Sequence, residues 1–302
     1  MNPLGRTCVI FNPTAGRGRS AQAVRTLRGS RNPDVTLMPT QFAGHATELA
    51  KRAADDGFAT IVAIGGDGTV HEVANGILES GNRDAVLSIW PVGSANDYAY
   101  TLGLSKWWRG HRHELTSIRE VDVGRVSGGS RSRYFVNGFG LGFNGAVTLE
   151  SRSISWLRGI PLYGLAMLKA IWRHFEQPLI KVEFDDLIRE VPTLVLSINL
   201  GQREGNFPIT PRASLDDGLF DCIHAGPLTR WAFIKHLPAI ATGNLPANDP
   251  RVWLGRAANV AVRSERPFRI HLDGEFFCHP QDGIIDVHVE LLPKRLKVMG
   301  FP

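Results

Sequence analysis

Asp67 lies between glycines in the run Gly65-Gly66-Asp67-Gly68-Thr69. Glycine admits positive φ and lets a backbone approach a ligand closely, and the amide N–H groups it leaves free can face phosphate oxygens. A carboxylate there would repel a bare phosphate, so its presence implies a divalent cation or a proton to be abstracted nearby. The competing reading is a tight turn with a solvated Asp. Asn12-Pro13-Thr14-Ala15-Gly16-Arg17-Gly18-Arg19 is a second glycine-bearing turn. Asn12 can hold it through its side chain, and Arg17 and Arg19 are placed to meet phosphate or to be simply solvated. Gly93-Ser94-Ala95-Asn96-Asp97-Tyr98-Ala99 is a third polar turn. Asp273-Gly274-Glu275 sets two carboxylates around a glycine, which is equally the signature of a hairpin turn.

These turns need elements to hold them. Thr7 to Phe11, Val35 to Pro39 (ending at Thr40), Ile61 to Ile64 and Val86 to Val92 read as buried strands. Each runs into a polar turn, and apolar-periodic helices follow, for example through Val70, Val73, Ala74 and Ile77. The pattern predicts an α/β, Rossmann-like N-terminal domain with a parallel sheet, its turns clustered at one sheet edge. From Arg119 the texture changes to short strands with few helices, which predicts a β-rich sandwich as C-terminal domain. The expected boundaries are 1–118, 119–290 with a helical insertion at 151–175, and a tail at 291–302 returning to the first domain. The insertion carries Trp156, Leu157, Ile160, Leu162, Leu165, Met167, Leu168, Ile171, Trp172 and Phe175, with Arg152, Arg158, Lys169, Arg173 and His174 as its charged or titratable residues, so it is core, pocket wall or membrane-lying helix. Lys106-Trp107-Trp108-Arg109 suits a bilayer interface or packing between domains.

Net charge is +5 over 302 residues, which permits attraction to nucleotides or an anionic membrane surface. Three widely spaced cysteines make no disulfide framework, and a reducing cytoplasm fits them. No apolar run reaches the ~18 residues of a membrane span and no signal-like opening is visible, so contact with lipid is expected from the surface.

Taken together, Asn12-Pro13-Thr14-Ala15-Gly16, Gly65-Gly66-Asp67-Gly68-Thr69 and Gly93-Ser94-Ala95-Asn96-Asp97-Tyr98-Ala99 resemble the diacylglycerol kinase catalytic-domain family, which includes bacterial lipid kinases, sphingosine kinases and ceramide kinases. Gly-Gly-Asp-Gly alone is shared with NAD kinases and phosphofructokinases; the third motif narrows the resemblance to lipid kinases. It continues through Ser214-Leu215-Asp216-Asp217-Gly218-Leu219 and Leu272-Asp273-Gly274-Glu275. The resemblance implies an active site in the inter-domain cleft. ATP would meet Asn12, Thr40, the loop Gly65, Gly66, Asp67, Gly68, Thr69, Val70 and His71, and Ser94. Asp67 would organise Mg2+ on the phosphates. Glu275, supported by Asp273, would take the proton from a lipid hydroxyl. A structural Mg2+ would fall to Asp217 with the carbonyls of Ser214 and Leu219. The family usually has Asn where His71 stands, and a glycine-richer loop than Asn199 to Phe207, so acceptor preference is open.

The resulting expectation is an ATP- and Mg2+-dependent lipid kinase, cytoplasmic and peripheral at the inner membrane surface, without nucleic acid and compatible with a homodimer. Its acceptor is diacylglycerol or ceramide. The alternatives are a soluble NAD kinase-like enzyme and a non-catalytic nucleotide- or lipid-binding regulator.

Overall fold

The computed structural model describes residues 5–29, 35–104 and 117–300. It divides into two compact units, Met1–Val123 with Pro293–Pro302, and Gly124–Leu292.

In the first unit β1 (Thr7–Phe11), α1 (Arg19–Gly29), β2 (Val35–Pro39), α2 (His45–Asp55), β3 (Thr60–Gly65), α3 (Asp67–Glu79), β4 (Val86–Pro91) and the short α4 (Asp97–Thr101) follow one another. The strands pair in parallel in the order β2-β1-β3-β4. All five residues of β1 are buried, as expected of a strand covered on both faces. Val9, Phe11, Ala23, Val24, Ile64 and Val92 form one core beneath α1. Helices α2 and α3 approach closely at Gly76, where a Cβ would lie 2.7 Å from Ala50 Cβ.

The chain enters the second unit along β5 (Ser117–Gly128). There follow β6 (Arg131–Phe135), β7 (Gly138–Gly142), α5 (Phe143–Arg152), α6 (Gly159–Arg173), β8 (Leu179–Phe184), β9 (Leu187–Pro192), β10 (Val195–Asn199) and β11 (Phe220–Ala225). Then come α7 (Arg230–Thr242), β12 (Val252–Ala257), β13 (Asn259–Ser264), β14 (Ile270–Leu272), β15 (Glu275–Cys278) and β16 (Asp286–Gly300). One antiparallel sheet has the order β12-β11-β10-β7-β14-β15. In the other, β13 lies between β8 and the first half of β16, with β9 beyond β8 and β5–β6 alongside. The sheets pack face to face. Phe184 of β8 meets Trp253 of β12 with ring centroids 4.3 Å apart, and Phe135 of β6 meets Phe220 of β11 at 5.6 Å. This is a sandwich core of aromatic and β-branched side chains. The end of β16 belongs to the first unit and pairs in parallel with β4, Lys297 opposite Val86.

Three features differ from the sequence-based expectation. The single helix expected over 151–175 is the end of α5, a break, and α6, with Gly159 at φ +59° opening the second helix. Strand β7 escapes pattern reading because three of its five residues are glycine. The space over Gly140 is filled by His271 and Asn144, and that over Gly138 by Asn199. Helix α7 has no periodic signature in the sequence, since its apolar residues lack a clean one-sided period and it contains Pro238. The tryptophan pair at 107 and 108 lies outside the described residues. Among the described residues no helix is long and apolar enough to cross a membrane.

Candidate active site

Strand register brings the first unit's turns together. Phe11 is level with Pro39 and with Ile64, and Gly65 is level with Pro91. Asn12, Thr40, Gly66 and Val92 therefore leave the sheet at one edge, the carboxyl edge where ligands of parallel sheets collect. Asn12 Oδ1 accepts from the Thr14 N–H at 3.0 Å and from the Thr14 hydroxyl at 2.8 Å, and the Thr40 N–H donates to the Phe11 carbonyl at 2.9 Å.

Two of the motifs touch through glycine. A Cβ on Gly93 would fall 2.5 Å from Gly66 Cα, and one on Gly66 would fall 3.1 Å from Gly93 Cα. Any side chain at either position would drive the turns apart. Asp67, the first residue of α3, spans them. Its Oδ2 accepts from the Asn96 N–H and its Oδ1 from the Asp97 N–H, each at 2.8 Å. Asn96 sits at φ +54° and its side chain both accepts from and donates to Gly93. Asp67 thus holds the third motif in place as well as lining the first. Gly68, Thr69 and Val70 form the first turn of α3, and Ser94 is exposed on the loop it faces. His71 is buried, and Asn75 Nδ2 donates to its carbonyl at 2.9 Å.

Arg19 is a correction. Expected to meet phosphate, its guanidinium instead donates to the carbonyls of Val92 at 2.6 Å, Gly93 at 3.3 Å and Gly16 at 3.2 Å. It staples the Asn12–Arg19 turn to the Gly93–Ala99 turn. Glu72, which sequence reading passed over, does the same for the loop before α2, accepting from the Gly44 and Ala46 amides at 2.9 and 3.1 Å.

In the second unit Asp273 and Gly274 are the two central residues of the β14–β15 hairpin, at φ +53° and +86°. The hairpin reading of Asp-Gly is therefore realised. The Asp273 carboxylate accepts from the Val136, Asn137 and Gly138 amides at 3.0, 2.8 and 2.9 Å, tying the turn to the start of β7. Glu275 opens β15, half-exposed and ion-paired with Arg152 at 2.7 Å. Behind the turn lies a polar cluster that no sequence motif announced. His271 Nε2 is 3.2 Å from Glu204 Oε1, and Glu204 Oε2 accepts from Ser197 and Asn144, each at 3.1 Å. Its members come from β14, β10, α5 and the loop after β10, far apart in sequence. Only the glycine at 140, over which His271 lies, hinted at it.

Comparison with known proteins gives a family match over each part of the chain. The diacylglycerol kinase catalytic domain matches residues 6–126, and the YegS C-terminal NAD kinase beta sandwich-like domain matches residues 139–300. A diacylglycerol kinase of Bacillus subtilis (strain 168) is 30% identical over 285 residues, 90% of each chain. The chain belongs to the diacylglycerol kinase and YegS-like lipid kinase family. A further relative, "Probable lipid kinase YegS-like" of Chromohalobacter salexigens, is 34% identical over 91% of this chain and 88% of its own. The crystal structure of a diacylglycerol kinase from Bacillus anthracis Sterne superposes with TM-score 0.73 over 98% of this chain and 97% of that one, at 21% identity, and shares the fold.

The family reading brings a divalent cation with it, and the two expected positions differ in fit. Magnesium on nucleotide phosphates needs one or two protein carboxylates, the phosphates supplying the rest. Asp67 fits this in kind, since it sets a carboxylate at the start of α3 beside the glycine turns, held there by the Asn96 and Asp97 amides. The set Ser214, Asp217 and Leu219 does not. Arg256 is ion-paired with Asp217 Oδ2 and stands 3.8 Å from Asp221, occupying the place of a cation, while Asp217 Oδ1 accepts from the Leu219 N–H. Burial raises the pKa of Asp221; Arg256 opposes the rise and Asp217 adds to it. Among the described residues no three His, Cys, Asp or Glu side chains gather as metal ligands. The cysteines are buried and not nucleophilic: burial pushes Cys8 up to about 12 and Cys278 up to about 11.

Proposed function

We propose that this lipid kinase transfers the γ-phosphate of ATP to a hydroxyl of a diacylglycerol-like lipid, with ceramide as the rival acceptor, and works peripherally at a membrane surface. The observation that carries the reading is the meeting of Gly66 with Gly93 under the Asp67 clamp. It leaves a glycine-lined edge, flanked by Asn12, Thr40 and Ser94, where backbone amides and a helix start can hold phosphates. Phosphoryl transfer asks a protein for positioning and charge stabilisation rather than covalent chemistry. A divalent cation, when bound with the nucleotide, supplies neutralisation of the phosphate charge, and Asp67 is the residue suited to hold it. Glu275 would accept the proton of the lipid hydroxyl. Arg152 would orient that carboxylate, and Asp273 would fix the hairpin that presents it.

The test is transfer of labelled γ-phosphate from ATP to diacylglycerol, ceramide and sphingosine in mixed micelles, with NAD as a water-soluble control. Product from diacylglycerol, absent with Asp67→Asn, is expected. Product from ceramide alone would change the acceptor. Product from NAD alone, or none at all, would refute the reading.

A further inference from the structure

His271 is buried on β14, and its two ring nitrogens face different partners. Nδ1 accepts from the Gly274 N–H at 3.4 Å, at the tip of the hairpin turn. Nε2 faces Glu204 Oε1 at 3.2 Å. An imidazole nitrogen that accepts from an amide carries no proton, so the ring's proton sits on Nε2, towards the carboxylate.

A row across three strands makes room for the ring. Gly140 of β7 is level with Ser197 of β10 on one side and with His271 on the other. A Cβ on Gly140 would fall 2.2 Å from His271 Nε2, so a side chain there would displace the ring. Ser197 and Asn144 both donate to Glu204 Oε2 at 3.1 Å, which leaves Oε1 to the ring. The carboxylate is presented from a tight turn, closed by two backbone bonds between Glu204 and Phe207 at 2.9 and 3.1 Å.

At the other end of this chain of contacts stands Gly274, at φ +86°. A glycine between two rigid peptide planes is the softest joint of a turn. Here both planes are held. His271 takes the N–H of the plane before Gly274, and Arg152 donates at 3.0 Å to the carbonyl of the plane after it. The next residue is Glu275, so these two holds decide where its carboxylate starts from.

We propose that His271, its tautomer set by Glu204, is a positioning residue for phosphoryl transfer: it fixes the Gly274 backbone and so aims Glu275. The proposal rests on the reading of Glu275 as acceptor of the lipid hydroxyl's proton. A ring that merely filled the core would need no particular nitrogen towards the turn.

The test compares two replacements, each keeping the place of one nitrogen. His271→Asn sets its side-chain oxygen near the place of Nδ1 and can still accept from Gly274. His271→Gln reaches Glu204 but offers the turn no acceptor. Asn is the smaller side chain and leaves the larger cavity, so a packing role makes His271→Asn the worse variant in both melting temperature and kcat. Positioning sets the two orders against each other. The melting temperature should fall further for His271→Asn. The kcat should fall about 10–10²-fold for His271→Gln, with KM for ATP and lipid unchanged, and His271→Asn should restore most of that loss. Amide exchange at Gly274 should be faster than wild type in His271→Gln and near wild type in His271→Asn. Nitrogen NMR of the wild-type imidazoles should show the His271 ring, assigned by its loss from either variant, protonated at Nε2 alone. Glu204→Gln can donate to Nε2 and so lets the proton move to Nδ1; its kcat should fall as well.

The proposal is overturned if kcat follows the melting temperature across the variants, if KM moves in place of kcat, or if the wild-type ring carries its proton on Nδ1. A folded wild type that phosphorylates no lipid would refute the kinase reading instead. Gly274 exchange and the ring's nitrogen spectrum would then still decide whether His271 holds the turn.

Discussion

Arg152 holds Glu275 at 2.7 Å and donates at 3.0 Å to the carbonyl of Gly274, so one guanidinium fixes both the carboxylate and the turn before it. The same guanidinium lies 4.8 Å from the Phe276 ring. With each side chain about half exposed, the pair contributes little to stability, on the order of 0–1 kcal/mol. Its effect is on orientation.

Glu275→Gln should therefore leave the fold and the melting temperature intact and lower kcat by about 10²–10⁴-fold, the usual contribution of a positioned base. ATP binding, read by nucleotide protection of the melting temperature, should be unchanged. Turnover at the wild-type rate would remove Glu275 from the chemistry.

Under the proposed function, Asp67→Asn should lower kcat by about 10²-fold or more, since it removes the carboxylate proposed to hold the divalent cation. It should also cost roughly 1–2 kcal/mol of stability, because an amide nitrogen replaces one of two oxygens that accept backbone N–H groups. Urea unfolding of the variant measures the second effect; a stability equal to wild type would mean the Asn96–Asp97 turn does not depend on the clamp.

Asp273→Asn should be the more structural lesion. Three amides point at this carboxylate, and loss of one acceptor oxygen leaves at least one of them facing a donor. A cost of about 2–3 kcal/mol is expected, with hydrogen exchange at Val136 to Gly138 accelerated. Unaltered exchange there would show that the turn is held by other contacts.

His224 supplies the pH dependence. It is fully buried on β11, Nε2 lies 2.8 Å from Thr193 Oγ1, and burial, helped by Arg189, pushes its pKa down to about 4. In the unfolded chain it titrates near the ordinary 6.5. Between those values the unfolded chain binds a proton that the native one does not, so stability falls as pH drops from 6.5 towards 4. The loss from this group should approach about 3 kcal/mol. His224→Gln should flatten the stability curve over that window relative to wild type, and an unchanged slope would refute the assignment.

Much of this protein is local in origin and was legible in the residues alone. Alternation of β-branched strands with glycine turns, residues 7 to 99, specifies a parallel α/β unit, because period and turn chemistry are properties of short segments. The hairpin at Asp273-Gly274 is local for the same reason. What the tertiary structure decided concerns partners distant in the chain. Arg19 looked like a phosphate ligand until the fold set the carbonyls of Val92 and Gly93 against it. Asp217 looked like a metal ligand until β12 brought Arg256 to it. Glu204 and His271 carry no motif and become a pair only when β7, stripped of side chains at Gly140, lets β14 lay its histidine across. A sequence states which groups a residue carries; which of them remain open to a ligand depends on the hydrogen bonds that packing completes.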